Sequence, residues 1–128
     1  MNEMIVSART FMLTHSRLLE RRLFEVRFED APPKLVGNAV RAYQNSDGGL
    51  GYALEPDIRC GESQPLLTSF GLGALEEAKC RDVELATSIC NYLKSVSDEN
   101  GLVSFFYRIR IAVTYCQSLD ILHDIFRS

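Results

Sequence analysis

Glu55, Asp57 and Arg59 stand at alternate positions in the segment ALEPDIRC, residues 53–60. Their types and spacing could do chemistry. Two carboxylates around Pro56 can divide acid and base roles when their surroundings push their pKa values apart. Arg59 could bind an anion or tune the pair. All three are therefore candidate ligand-binding residues, and Glu55 and Asp57 are also the candidate catalytic pair. The same residues suit a plainer role, a salt-bridged loop bracing the corner that precedes them. Their spacing alone does not decide whether the chain is an enzyme.

Other routes to catalysis are poorly represented. The sequence has no P-loop, no GxGxxG and no HExxH pattern, so no cofactor is implied. His15 adjoins Ser16, but neighbours on a helix point to different faces and make no nucleophile–base pair. A hydrogen-bonded histidine at the core edge is the expected role of His15. Cys60, Cys80, Cys90 and Cys116 include no CxxC and have no histidine at finger spacing. No metal site is expected. Buried free thiols are.

The elements that must position these residues read mostly as helices. A face of Ile5, Ala8, Phe11, Met12, Leu18, Leu19, Leu23 and Val26 predicts one amphipathic helix over 4–28. Prolines in EDAPPK suit the entry to a second helix carrying Leu35, Val36, Ala39, Val40 and Tyr43. That helix breaks at NSDGG, where Gly48 and Gly49 can take positive φ and Asn45, Ser46 and Asp47 can close a turn. Ser63 as N-cap and Pro65 just inside predict a third helix bearing Leu66, Leu67, Phe70, Ala74, Leu75 and Ala78. Gly71 and Gly73 within it suggest close approach of a neighbour. Asp82 caps a fourth helix with Val83, Ala86, Ile89, Cys90 and Leu93, ending at SDENG. Residues 107–115 alternate like a strand but could be helical. Residues 118–126 have helical spacing behind a capping serine.

The bulk numbers fit a single domain. The chain has 128 residues, 46% hydrophobic and 24% charged, with a net charge of −3, which argues against a nucleic-acid partner. Basic residues gather near the start (Arg9, Arg17, Arg21, Arg22, Arg27) but alternate with Glu20, Glu25 and Glu29, as on an ion-paired helix face. No apolar run reaches the roughly 18 residues of a membrane span. The first ten residues lack the order of a signal peptide. The expectation is a cytoplasmic protein with reduced thiols.

Two turns repeat. Tyr43 and Tyr92 are 49 residues apart, Asp47 and Asp98 are 51 apart, and Gly49 and Gly101 are 52 apart. A period near 50 that holds two helices suggests stacked helical hairpins. QNSDGGLG (44–51) resembles the glutamine-and-DGG repeat of squalene–hopene cyclases and protein prenyltransferase β subunits. ARTFML (8–13), RLLERRLFEVRFE (17–29), AVRAYQNSDGGLGYALEPDIRC (39–60) and SQPLLTSFGLGALEEA (63–78) resemble uncharacterised bacterial proteins of the prenyltransferase and squalene-oxidase repeat class. The resemblance covers residues 5–105.

The resemblance implies an all-α chain, a partial α/α toroid of about two and a half helical hairpins with a divergent tail over 107–128. It implies a structural corner of Gln44, Asp47, Gly48 and Gly49, with the amide and carboxylate meeting N–H groups at the start of a neighbouring helix. It also implies an isoprenoid-like or other apolar ligand in a central cavity. The chain departs from the pattern at Leu50 and Leu102, where such repeats carry an aromatic. The DXDD acid of class II cyclases does not occur. Asp57, Cys60 and His123 match the residue types of the prenyltransferase zinc set, but nothing places them together. A full ring needs roughly 300 residues at about 50 per hairpin, so the chain reads as a shortened relative or as a shifted reading frame with an unrelated tail. Either leaves an uncapped apolar face, including IRIAVTY and ILHDIF. The alternative function is a non-catalytic oligomeric scaffold or interaction module, a homo-oligomer joined through that face.

Overall fold

A computed structural model describes residues 2–52, 54 and 61–100. These fold as five helices: α1 (Glu3–His15), α2 (Leu18–Phe28), α3 (Lys34–Arg41), α4 (Pro65–Glu77) and α5 (Val83–Ser95). There is no strand among the described residues, only a bridge between Gln44 and Leu50. Each helix packs on the next in sequence, an arrangement of helical hairpins. Glu55, Asp57 and Arg59 lie outside the described residues, as do Gly101, Leu102 and the segments 107–115 and 118–126.

The single helix expected over 4–28 is two. Ser16 and Arg17 take extended backbone. The Ser16 hydroxyl and amide both donate to the Met12 carbonyl, at 2.6 and 3.2 Å. Arg21 Nε in turn donates to Ser16 O at 2.9 Å. The last turn of α1 is thus capped by a residue that has already left the helix. Neither glycine nor proline marks the break. Asn2 begins α1 by accepting the Met4 N–H at 3.1 Å, and Arg9 pairs with Glu29 beyond the far end of α2.

Helices α3 to α5 bury the core: Val36, Val40, Leu67, Leu72, Leu75, Leu85, Ile89 and Leu93, joined by Leu19 from α2 and Leu50 from the corner. Gln64, not Ser63, is the residue that leads into α4, with Pro65 in the first turn. Asp82 starts α5 as expected, accepting Leu85 N–H at 3.0 Å. The same carboxylate takes Arg41 Nη2 on both oxygens, at 2.8 and 2.9 Å, and so ties the end of α3 to the start of α5. Cys80 is a buried free thiol. Cys90 is buried too, but it is disulfide-bonded rather than free. The reduced-thiol argument for a cytoplasmic chain does not extend to it.

Of the two glycines in α4, one is pressed by a neighbour. A methyl group at Gly71 would run into the Leu50 side chain and stand 3.5 Å from Val40 of α3, whereas one at Gly73 would meet nothing within 4 Å. No helix of the described residues is long and apolar enough to cross a membrane.

Candidate functional site

The corner after α3 is built from short-range bonds first. Tyr43 and Gln44 amides donate to Val40 and Arg41 carbonyls at 3.0 and 3.1 Å, tightening the helix end. The chain then reverses: Gly48 N donates to Asn45 O at 3.0 Å, Asn45 N to Gly49 O at 2.9 Å and Gly51 N to Tyr43 O at 2.9 Å. The Asp47 carboxylate accepts Gly49 N–H at 2.9 Å, a local bond typical of Asp in turns. Asp98, its repeat counterpart, accepts Asn100 N–H at the same distance.

The two central glycines serve different needs. Gly48 has φ +88°, as expected, and a side chain there would also meet Ser88 O of α5 at 2.5 Å. Gly49, expected with positive φ as well, does not have it. A Cβ at Gly49 would come within 2.5 Å of Ser63 and 2.8 Å of the Tyr92 ring. Space, not backbone freedom, sets that residue.

Side chains then clamp the turn to Ser63, ahead of α4, and to α5. Ser63 Oγ donates to Asp47 Oδ1 at 2.6 Å and accepts Asn45 Nδ2 at 2.9 Å, while Ser63 O accepts the Tyr92 hydroxyl at 3.1 Å. Asn45 Nδ2 also reaches Gly61 O at 2.9 Å. Gln44 Nε2 donates to Gly48 O at 3.1 Å and to Ser88 Oγ at 3.3 Å. Gln44 and Asp47 therefore act on hydroxyls and on the turn itself, not on the N–H groups of a helix start as expected. Burial, and then the Asp47 carboxylate, push the Tyr92 hydroxyl above its ordinary value of 10.0, so it stays a donor.

Behind the turn, the buried Leu50 donates its amide to Thr68 Oγ1 and offers its carbonyl to Gln64 N, each at 2.9 Å. A side chain at Gly51 would strike the carbonyls of Gly61 and Glu62. The residues on either side of the candidate pair are therefore pinned together, while Glu55, Asp57 and Arg59 themselves lie outside the described residues. The corner's polar groups are engaged with one another, which suits a brace. It offers no group of three or more His, Cys, Asp or Glu that could hold a metal, nor does any other place among the described residues.

His15 is not at a core edge. It is exposed, its ring stacked on Phe11 with centroids 4.8 Å apart, and its Nδ1 lies 2.6 Å from Thr14 Oγ1. Sequence reasoning also passed over Ser63 as a hub, Ser88 as a partner, and the outward face of α1. The signal for the last was present: Met4, Val6 and Leu13 are apolar yet fall off the predicted stripe.

Compared with known proteins, the chain matches no family model, no curated protein and no solved structure.

Proposed function

We propose that the chain is an interaction module of helical hairpins, part of an α/α toroid-like array that works by associating with further copies. One observation carries this reading. None of the residues of α1 is fully buried, yet Met4, Val6, Phe11 and Leu13 are apolar and 76%, 49%, 59% and 40% exposed. A helix with apolar side chains on more than one face belongs inside a larger assembly. In stacked hairpins each unit buries its face only against its neighbours, so an end helix of this kind calls for another layer. The corner residues, by contrast, are already taken up in holding α3, α4 and α5 together.

Native mass spectrometry tests the reading. A multimer at micromolar concentration is the expected result, and a bare monomer overturns it. A multimer that releases a small apolar molecule on activation would instead favour a ligand enclosed between copies, the cavity role implied by the sequence resemblance.

A further inference from the structure

Two residue pairs in the chain carry the chemistry of spontaneous succinimide formation, Asp47–Gly48 and Asn100–Gly101. A glycine after such a side chain lets its own amide nitrogen approach the side-chain carbonyl carbon, because no Cβ crowds the approach. The first pair follows α3 and the second follows α5. The fold treats the two differently.

Asp47 is held away from the reaction. Its Oδ1 accepts the Gly49 amide at 2.9 Å and the Ser63 hydroxyl at 2.6 Å. The Gly48 nitrogen, which would have to attack, donates instead to Asn45 O at 3.0 Å. Asn45 is no freer: its Nδ2 donates to Gly61 O and to Ser63 Oγ, each at 2.9 Å. Asn38 and Asn91 lie within α3 and α5, where the next amide belongs to the helix ladder. Asn2 is engaged through its side-chain oxygen, which caps α1. Asn100 differs from all of these. It is exposed in a turn, and its backbone amide donates to Asp98 Oδ1 at 2.9 Å. Among the described residues its side-chain amide has no hydrogen-bond partner. It can also release ammonia, a better leaving group than the oxygen an aspartate would have to shed.

We infer that Asn100 is a site of spontaneous deamidation in the folded chain, while the Asp47–Gly48 corner is preserved. The Gly101 nitrogen gives up its proton to solvent and attacks Asn100 Cγ. A new N–Cγ bond closes a cyclic imide, the Cγ–Nδ2 bond breaks, and ammonia leaves with a proton taken from water. A second water then opens the ring at either carbonyl. One opening gives aspartate; the other gives isoaspartate, in which the main chain runs through the side-chain carbon. Either product adds a negative charge beside Asp98 and Glu99. The turn after α5 therefore changes with time, and the turn after α3 does not. The reaction is intramolecular and independent of the association proposed above.

The experiment incubates the full chain in warm, mildly alkaline buffer, with and without urea, and maps tryptic peptides by mass spectrometry. Cleavage after Lys94 and Arg108 leaves Asn100 as the one asparagine of residues 95–108, and cleavage after Arg41 and Arg59 puts Asn45 and Asp47 on residues 42–59. Without urea, peptide 95–108 is expected to gain the mass of acid for amide, with isoaspartate located at residue 100 by fragmentation. Isoaspartate at residue 47 is expected to form at least about 10-fold more slowly without urea than with it, since the corner's hydrogen bonds must break first. An Asn100 that reacts in urea but stays intact in the folded chain overturns the inference. So does isoaspartate at residue 47 forming as fast in the fold as in urea. Gly101→Val is expected to slow the change at Asn100 by at least about 10-fold, because a branched side chain crowds the attacking nitrogen. An unchanged rate in that variant overturns the succinimide route.

Discussion

Leu50 occupies the space that a side chain at residue 71 would need. The Leu50 side chain, fully buried, lies against the backbone of α4 at Gly71, with Val40 close by. A leucine in the corner and a glycine in the helix are thus one feature seen from two sides. Gly71→Ala should destabilise the fold by about 1–3 kcal/mol through overpacking. Gly73→Ala, two residues on and facing open space, should stabilise it by up to about 1 kcal/mol, the helix-propensity difference. Urea denaturation of the two variants checks both signs in one experiment. Equal effects would mean that Leu50 is not what keeps residue 71 small.

What the residues disclosed in advance depended on whether the cause was local. Asp82 before an apolar period of three and four is a local signal, and α5 starts where it says. NSDGG is another, and the chain turns there. The grip on that turn comes from Ser63, Ser88 and Tyr92, which reach it from up to 44 residues away in sequence, as between Gln44 and Ser88. No spacing rule carries that. The division of residues 4–28 at Ser16 was hidden for a different reason. A serine bonding back to Met12 O works as a stop, but serine also occurs inside helices, so its presence decides nothing. As for α1, a search for one apolar stripe finds Ile5, Ala8, Phe11 and Met12, counts Phe11 as inward although it is 59% exposed, and passes over Met4, Val6 and Leu13. The candidate pair Glu55 and Asp57 was legible as a pair of types; the described residues on either side show only how firmly its base is held.

Asp82 links folding to acid. Burial raises its pKa, but the Leu85 N–H and the Arg41 guanidinium together outweigh this, and the carboxyl sits below its ordinary value of 3.8. A depressed carboxyl contributes stability that is complete above the unfolded value and is lost as pH falls through the folded one. Asp82→Asn should therefore lower stability at pH 7 and flatten the loss of stability as pH falls below the ordinary carboxyl value of 3.8. Urea midpoints at pH 7, 4 and 3 test this. An unchanged acid slope in the variant would assign the acid sensitivity to other carboxylates.

Tyr92 should show the opposite dependence. Its hydroxyl donates to Ser63 O, and its pKa is raised above 10.0 by burial and by Asp47. A raised group contributes stability that is present below its unfolded value and is lost as pH rises through its folded value. Tyr92→Phe should cost about 0.5–1.5 kcal/mol at pH 7, the net value of a hydrogen bond. It should also remove part of the decline above pH 10. Ser63→Ala should cost a similar amount at pH 7 by removing the hydroxyl's bonds with Asn45 and Asp47, while leaving the alkaline decline in place because the Ser63 carbonyl remains. Thermal melts of both variants at pH 7 and pH 10.5 distinguish the two roles.

Lys79 closes α4 in a conformation that suits another residue. Its φ is +54°, and the next amide, Cys80 N, donates back to Leu75 O at 2.8 Å. This is the left-handed end of a helix, where glycine is the usual occupant because a Cβ crowds the carbonyl. Lys79 is exposed and takes part in none of the core contacts, so its side chain contributes little to offset that crowding. Lys79→Gly should therefore stabilise the protein by up to about 1 kcal/mol, the left-handed penalty less the extra freedom that glycine gives the unfolded chain. Lys79→Ala keeps the Cβ and should gain nothing. Lys79→Val, with a branched side chain at positive φ, should lose stability. The order Gly above Lys and Ala, with Val lowest, is read from urea midpoints; a Val variant as stable as Gly would mean that α4 does not end in the left-handed turn.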